Sequence, residues 1–161
     1  MATTPQVASI GEEAAELWAN SYQGEVLGEA YFSHMAEHTT EPVRRAKLEA
    51  LTALERCTKE LLVAPMERLG ISTVPDQSIL DGVASGTNFD YRAMLDTVLV
   101  FTAKSLSDYT QLRGLVESRD AAVIDQLIAH ELALEVFVRR ELAGDIDDSL
   151  QPIRALSHVT L

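Results

Sequence analysis

Apolar residues recur every three or four positions along most of this chain, and few helix-breaking residues interrupt them. Only five prolines and eight glycines occur among 161 residues, whereas Ala, Leu and Glu, which favour helices, are abundant. Apolar residues at this spacing line one face of an α-helix, and that face must be buried against other helices. The pattern therefore predicts an all-α fold built as one domain.

Four long helices are predicted, separated by breaks of unequal length. The first and third breaks are short, which predicts antiparallel neighbours, whereas the second is long enough to cross between two pairs of helices. That second break holds Gly, Pro, Ser and Asp at turn-like spacing and lacks sustained periodicity. The predicted helices span about residues 5–38, 42–69, 88–117 and 120–143, with a crossover at 70–87 and a tail at 145–161 that has room for one short helix.

The formal net charge of −12 limits the partners that we expect. Nucleic acids and anionic membranes attract basic surfaces, so neither is an expected partner. The single cysteine cannot form an intramolecular disulfide, and the first residues lack the basic start and apolar core of a signal peptide. No uncharged apolar run approaches the ~20 residues of a membrane span. We interpret the chain as a cytoplasmic protein.

Acidic residues share a face with apolar residues near the middle of every predicted helix. Burying an unpaired carboxylate costs several kcal/mol, so acids at similar depth on four helices need protons, arginines or a metal cation. Few arginines lie on these faces, and oxygen ligands suit a hard cation. Positions at the edges of helix faces would explain the same pattern without a ligand. The acids are Glu25 and Glu29 in the first helix, Glu55 in the second, Asp96 in the third and Glu131 in the fourth.

The segment YQGEVLGEAYF, residues 22–32, resembles the first bundle helix of ferritin-like proteins of the rubrerythrin type. In that family a Gly-Glu pair lies about two turns before an aromatic residue, and the Glu binds iron. The resemblance spans roughly residues 8–143 and implies a ferritin-like up-down four-helix bundle with a crossover between its second and third helices. It also implies a dinuclear iron site, which takes a Glu from each of two helices and a Glu-x-x-His motif from each of the other two.

The resemblance assigns ligand roles to positions of this chain. The positions that match the family's acids are Glu25, Glu55, Asp96 and Glu131. Thr58 and Leu134 stand where the two motif histidines belong, so the site implied here is rich in carboxylates. Glu29 or Glu135 would complete or bridge it. His130 is the nearest histidine, although on an ideal helix its side chain points about 100° away from that of its neighbour Glu131.

Three functions are compatible with this sequence. The resemblance implies oxidation, oxygen chemistry or iron handling at dinuclear iron, with dioxygen or a small molecule as substrate. A metal-free cavity could instead bind or transform a small organic molecule by acid–base chemistry, for which His130 and Glu135 are the candidate catalytic residues. A structural module that dimerises through leftover apolar faces is the third hypothesis, and a homodimer is the expected assembly.

Overall fold

The computed structural model describes residues 10–161, whose regular structure is entirely helical. None of the helices in this range combines the length and the apolar character that a membrane span requires. Six helices follow one another along the chain: α1 (Glu12–Glu37), α2 (Pro42–Arg68), α3 (Gln77–Ala84), α4 (Tyr91–Leu115), α5 (Ser118–Ala143) and α6 (Gln151–Arg154).

The predicted all-α class and the four long helices are confirmed, with small differences at their ends. The third long helix begins at Tyr91 rather than at about residue 88, and the fourth begins at Ser118 rather than at about residue 120. The predicted start of the first helix, at about residue 5, lies outside the described residues. The short helix allowed for in the tail is present as α6.

The long connection between α2 and α4 contains the short helix α3, which the sequence pattern did not predict. The side chain of Asp76 accepts a hydrogen bond from the backbone N–H of Ser78 and so caps the start of this helix. Ile79 and Leu80 of α3 pack against the apolar core, but no residue of α3 is fully buried. The eight-residue helix is too short for periodicity to distinguish it from a loop.

The four long helices pack in two pairs, α1 with α2 and α4 with α5. Because each pair is joined by only a few residues, its helices are antiparallel. α1 also contacts α4, and α2 contacts α5, which brings the two pairs together. α3 lies against α1 within the crossover.

The core consists of two apolar clusters, one in each half of the helix assembly. One is built around Phe32, Leu51 and Phe137. The other is built around Trp18 and Leu127. Between these clusters, each long helix buries polar side chains at its middle instead of apolar ones. The apolar halves stabilise the fold, and the polar layer between them is where functional chemistry is expected.

A buried ion pair joins α2 to the end of α5. Lys47 Nζ lies 2.5 Å from Glu141 Oε1, and the two side chains are only 9% and 4% exposed. Lys47 also donates to the backbone carbonyl of Ile146 at 2.6 Å, and the Tyr91 hydroxyl donates to the other carboxylate oxygen of Glu141 at 3.0 Å. The pair therefore connects α2, α4, α5 and the segment after α5.

Lys47→Ala should lower the free energy of unfolding by about 3–5 kcal/mol, because it leaves the Glu141 carboxylate buried without its cation. Lys104→Ala is the matched control, since Lys104 pairs with Asp108 on the exposed side of α4. This control should cost less than about 0.5 kcal/mol. Urea denaturation followed by circular dichroism measures both variants, and equal losses would contradict the assigned role of Lys47.

Candidate functional site

Four ionisable side chains meet in the polar layer halfway along the long helices. They are Glu25 of α1, Glu55 of α2, and His130 and Glu131 of α5, and we refer to them as the central cluster. Their exposed fractions are 2%, 5%, 0% and 6%, respectively. Among residues 10–161, the one basic side chain within 4 Å of these carboxyls is His130, which lies near Glu25 and Glu55.

The imidazole of His130 reaches two of the three carboxyls. Its Nε2 lies 3.3 Å from Glu55 Oε1, and its Nδ1 lies 3.6 Å from Glu25 Oε2. One nitrogen or oxygen atom from each of these three residues lies within 4.8 Å of the other two. Three helices thus contribute one donor atom each to a single small volume.

The hydroxyl of Thr58 determines which nitrogen of His130 carries the hydrogen. Thr58 donates its one hydrogen to the backbone carbonyl of Leu54 at 3.0 Å. Its Oγ1 therefore accepts from His130 Nδ1 at 2.9 Å and from His158 Nε2 at 3.0 Å. When His130 is neutral, the lone pair of its Nε2 then lies beside the carboxyl of Glu55, with Oε1 at 3.3 Å.

When the carboxyls are ionised, two atoms of the central cluster are buried without a hydrogen-bond partner in the described part of the chain. They are Glu25 Oε2 and His130 Nε2. The other carboxyl oxygen of Glu25 accepts a hydrogen bond from the Tyr109 hydroxyl at 3.0 Å, which orients the carboxyl. Buried polar atoms without partners are costly, so these two are candidates for contact with a ligand.

Burial makes the carboxyls of the central cluster difficult to ionise. It raises the pKa of Glu55 to about 8; a hydrogen bond with Glu25 partly opposes this increase, and the charge of Glu29 adds to it. Burial also raises the pKa of Glu131 to about 8, partly opposed by His130. The pKa of Glu25 is raised by burial and by the neighbouring carboxyl of Glu55, against the effect of His130. Without a bound cation, the cluster therefore retains protons at neutral pH.

Gly28 of α1 provides the space for the carboxyl of Glu55. A Cβ atom at Gly28 would lie 2.6 Å from the carboxyl carbon of Glu55, which is too close for two carbon atoms. A Cβ atom at Gly24, one turn earlier on the same helix, would have no such neighbour within 4 Å. The absence of a side chain at Gly28 is therefore required by the position of Glu55.

A cavity of about 440 Å³ lies between α1, α3 and α4 and reaches the central cluster. Its polar end includes Glu25, Glu55, Glu131, Thr102 and Tyr109. Most of the remaining wall is apolar and includes Leu27, Phe32, Ile79, Val83, Val98 and Phe101. The cavity is large enough for a small molecule to contact the cluster.

The prediction that Asp96 faces the core is wrong. Its side chain is 61% exposed and lies 3.8 Å from Arg92 on the same helix. Val100 and Phe101 are also exposed, so α4 carries apolar residues on more than one side. Its buried face instead contains Met94, Leu95, Val98, Thr102, Tyr109 and Leu112. Periodicity alone could not select between these overlapping faces.

Glu29 and Glu135 also lie outside the central cluster. Glu29 forms ion pairs with Arg56, at 2.8 Å, and with Lys59. Although burial acts to raise the pKa of Glu29, hydrogen bonds from Lys59 and Arg56 lower it overall. Glu135 accepts a hydrogen bond from Arg139 at 2.7 Å, one turn further along α5. Of the predicted site residues, the structure brings together Glu25, Glu55, His130 and Glu131.

Sequence reasoning missed several polar residues around the central cluster. Tyr109 is one of four tyrosines, and no pattern distinguishes it from the others. Thr102 lies on the buried face of α4 that was not predicted. His158 lies in the tail, far from Thr58 along the chain. The sequence pattern does place Thr58 on the same helix face as Glu55, but its contacts with His130 and His158 depend on how separate parts of the chain pack together.

A second group of possible metal ligands, His34, Glu37 and His38, lies near the end of α1. His34 Nε2 donates to the carbonyl of Gly86 at 3.0 Å, and His38 Nδ1 donates to the carbonyl of His34 at 2.9 Å. The ring of His38 also stacks on Phe89 at 4.0 Å. These contacts explain the positions of both histidines without a metal ion.

In the metal-free protein, the central cluster should lower the free energy of unfolding as the pH rises from about 5 to 8. In this range the unfolded chain releases protons that the folded chain retains at Glu55 and Glu131, whose pKa values are about 8 against an ordinary 4.5. Glu55→Gln, which stays neutral, should therefore gain stability relative to the unaltered protein as the pH rises.

Urea unfolding across this pH range measures the difference between the two proteins, with Asp96→Asn as the exposed control. Taking the difference in stability between the two proteins cancels the contribution of His158. Burial and His130 lower the pKa of His158, so its contribution to stability increases with pH, opposite to that of Glu55. A stability difference that does not change with pH would contradict the raised pKa of Glu55.

Comparison with protein-family models, curated proteins and solved structures gave no significant match, so these comparisons identify no family for the chain.

Proposed function

We propose that this chain is a ferritin-like metalloprotein whose central cluster binds a divalent transition-metal ion, with iron as the leading candidate. The observation that carries the proposal is the close grouping of Glu25, Glu55 and His130, whose donor atoms lie within 4.8 Å of one another in a buried site. Two of those residues have an atom without a hydrogen-bond partner among residues 10–161.

The chemistry of the donor atoms fits a transition-metal ion. Carboxylate oxygen and imidazole nitrogen together suit iron, manganese or zinc, whereas calcium and magnesium prefer oxygen alone. A divalent cation would also compensate the carboxylates, which otherwise must stay protonated in their apolar surroundings. Iron is favoured over the others by the ferritin-like resemblance of residues 22–32.

The residues present support one metal ion better than two. The family's dinuclear site uses six protein ligands, whereas the central cluster holds four candidate ligands. α4 presents Thr102 and Tyr109 to this region instead of the predicted acid Asp96. In the proposed site Glu25, Glu55 and His130 hold the metal ion. Glu131, whose charge interacts with all three of these residues, would help to balance the charge of the ion.

The surrounding residues prepare the ligands for this role. Thr58 keeps the hydrogen of His130 on Nδ1 and leaves Nε2 free to bind a metal ion. Tyr109 orients Glu25, and Gly28 leaves room for Glu55. Bound iron would supply redox chemistry with dioxygen, and the apolar wall of the neighbouring cavity would exclude water. We therefore propose an oxidoreductase acting on a small molecule.

The fold is compatible with the proposed ferritin-like relationship. It has four long helices in two antiparallel pairs, a long connection between the second and third of them, and candidate ligands near the helix middles. These features also occur in helical proteins of other ancestry. The proposal of metal binding therefore depends on the donor atoms and does not depend on the family.

Metal-free acid–base catalysis is a second candidate function. It is favoured by the pKa of about 8 for Glu55 and Glu131, because a group that titrates near neutral pH can both accept and donate a proton. Both carboxyls line the cavity, where a bound molecule would contact them. Metal titration separates this function from the first.

The untagged protein, purified without chelators, should bind about one equivalent of Fe(II) when titrated under anaerobic conditions. Glu25→Gln and Glu55→Gln should lose this binding, because each removes a charged ligand at nearly constant shape. Asp96→Asn is the matched control and should bind like the unaltered protein, since Asp96 is exposed and outside the cluster. Metal analysis after desalting measures the stoichiometry, and uptake below about a tenth of an equivalent by the unaltered protein would refute the proposal.

Gly28→Ala should weaken Fe(II) binding by about 10- to 100-fold, although it leaves every proposed ligand in place. The new methyl group would occupy space now filled by the carboxyl of Glu55. Gly24→Ala is the control, because it makes the same change one turn earlier where no neighbour lies within 4 Å. Calorimetric titration compares the two, and equal affinities would show that the position of Glu55 does not matter for binding.

A further inference from the structure

We propose that the cavity beside the central cluster binds an apolar molecule that ends in one uncharged hydroxyl or carbonyl group. This inference deepens the proposed function, because the occupant would be the molecule on which the metal site acts. The binding itself requires only the cavity and can be measured on metal-free protein.

The shape and lining of the cavity suit a mostly apolar molecule. Its volume of about 440 Å³ lies within the usual range for small-molecule sites. α1, α3 and α4 each contribute apolar side chains to its wall, including Leu27, Phe32, Val83, Val98 and Phe101. Transfer of an apolar ligand from water to this wall is favourable in proportion to the area buried.

Thr102 supplies the polar contact for one end of the ligand. Its side chain lines the cavity and is 2% exposed, and Oγ1 has no hydrogen-bond partner among the described residues. A buried hydroxyl without a partner is costly, and a ligand hydroxyl or carbonyl would remove that cost. In the proposed function the carboxyls of Glu25 and Glu55 are occupied by the metal ion. Of the described lining residues whose buried polar atoms lack a partner, Thr102 is then the one left for the ligand.

The absence of lysine and arginine from the described wall of the cavity argues against an anionic ligand. Glu25, Glu55 and Glu131 all line the polar end of the cavity. A ligand carboxylate placed there would lose its hydration without gaining a cationic partner, and Thr102 offers only one neutral hydroxyl in return. The complementary ligand end is therefore polar but uncharged.

α3 forms one wall of the cavity and is held against α1 at both ends. Before its first turn, the side-chain amide of Gln23 donates to the carbonyl of Val74 and accepts from the backbone N–H of Asp76, each at 2.9 Å. After its last turn, His34 donates to the carbonyl of Gly86 at 3.0 Å. These contacts keep a helix without fully buried residues in place as a wall.

Titration of the metal-free protein with 1-alkanols of increasing length tests the proposal. Each added methylene group should tighten binding by about three- to fourfold until the cavity is filled, after which the gain should stop. Alkyl carboxylates of the same length should bind at least about tenfold more weakly at neutral pH. Affinities that do not depend on chain length, or carboxylates that bind as well as alcohols, would overturn it.

Two pairs of measurements assign the ligand to this cavity. Thr102→Val should weaken alcohol binding by about two- to tenfold, because it removes the hydroxyl at constant shape. The same variant should leave the binding of 1-chloroalkanes unchanged. Val83→Trp should abolish both by filling the cavity, whereas Val100→Trp, at a residue that is 71% exposed on α4, should abolish neither. Equal behaviour of the two tryptophan variants would place the ligand elsewhere.

The outcomes for metal and for ligand are independent. Alcohol binding by metal-free protein together with no uptake of Fe(II) would refute the proposed metal function and support the cavity assignment. Uptake of one equivalent of Fe(II) without alcohol binding would support the proposed metal function and refute the cavity assignment.

Discussion

Three carboxyl groups and one imidazole are buried together halfway along the long helices, and much of the structure serves to hold them there. Each isolated charge in such surroundings costs several kcal/mol, so the group must be neutralised by protons or by a cation. The elevated pKa values of Glu55 and Glu131 describe the first case. The free lone pair of His130 and the open oxygen of Glu25 are suited to the second.

This polar layer divides the apolar core, which is an unfavourable arrangement for stability alone. Leucine or methionine at Glu25 and Glu55 would join the two apolar clusters into one and would remove buried polar atoms that lack partners. Tyr109, Thr58 and Gly28 all have contacts that support the layer. A group of residues that lowers stability and is supported by its neighbours is characteristic of a functional site.

The accuracy of the sequence predictions differed between helices for a physical reason. α2 has one clear apolar stripe, so the inward position of Glu55 among Leu48, Leu51 and Leu62 followed from helical spacing. α4 carries apolar residues on several sides, and spacing placed Asp96 in the core although it is exposed. Packing against the neighbouring helices selected the face of α4, and a pattern within one helix contains no information about those neighbours.

The sequence by itself determined the helical class, the approximate helix ranges and the presence of acids at the middle of the apolar faces of α1, α2 and α5, because these depend on local spacing along one helix. Only the tertiary structure decided that His130 joins Glu25 and Glu55, that Thr102 and Tyr109 complete the polar layer, and that α3 encloses a cavity beside it. These arrangements depend on which residues of separate helices lie opposite one another. That register results from the packing of the whole core.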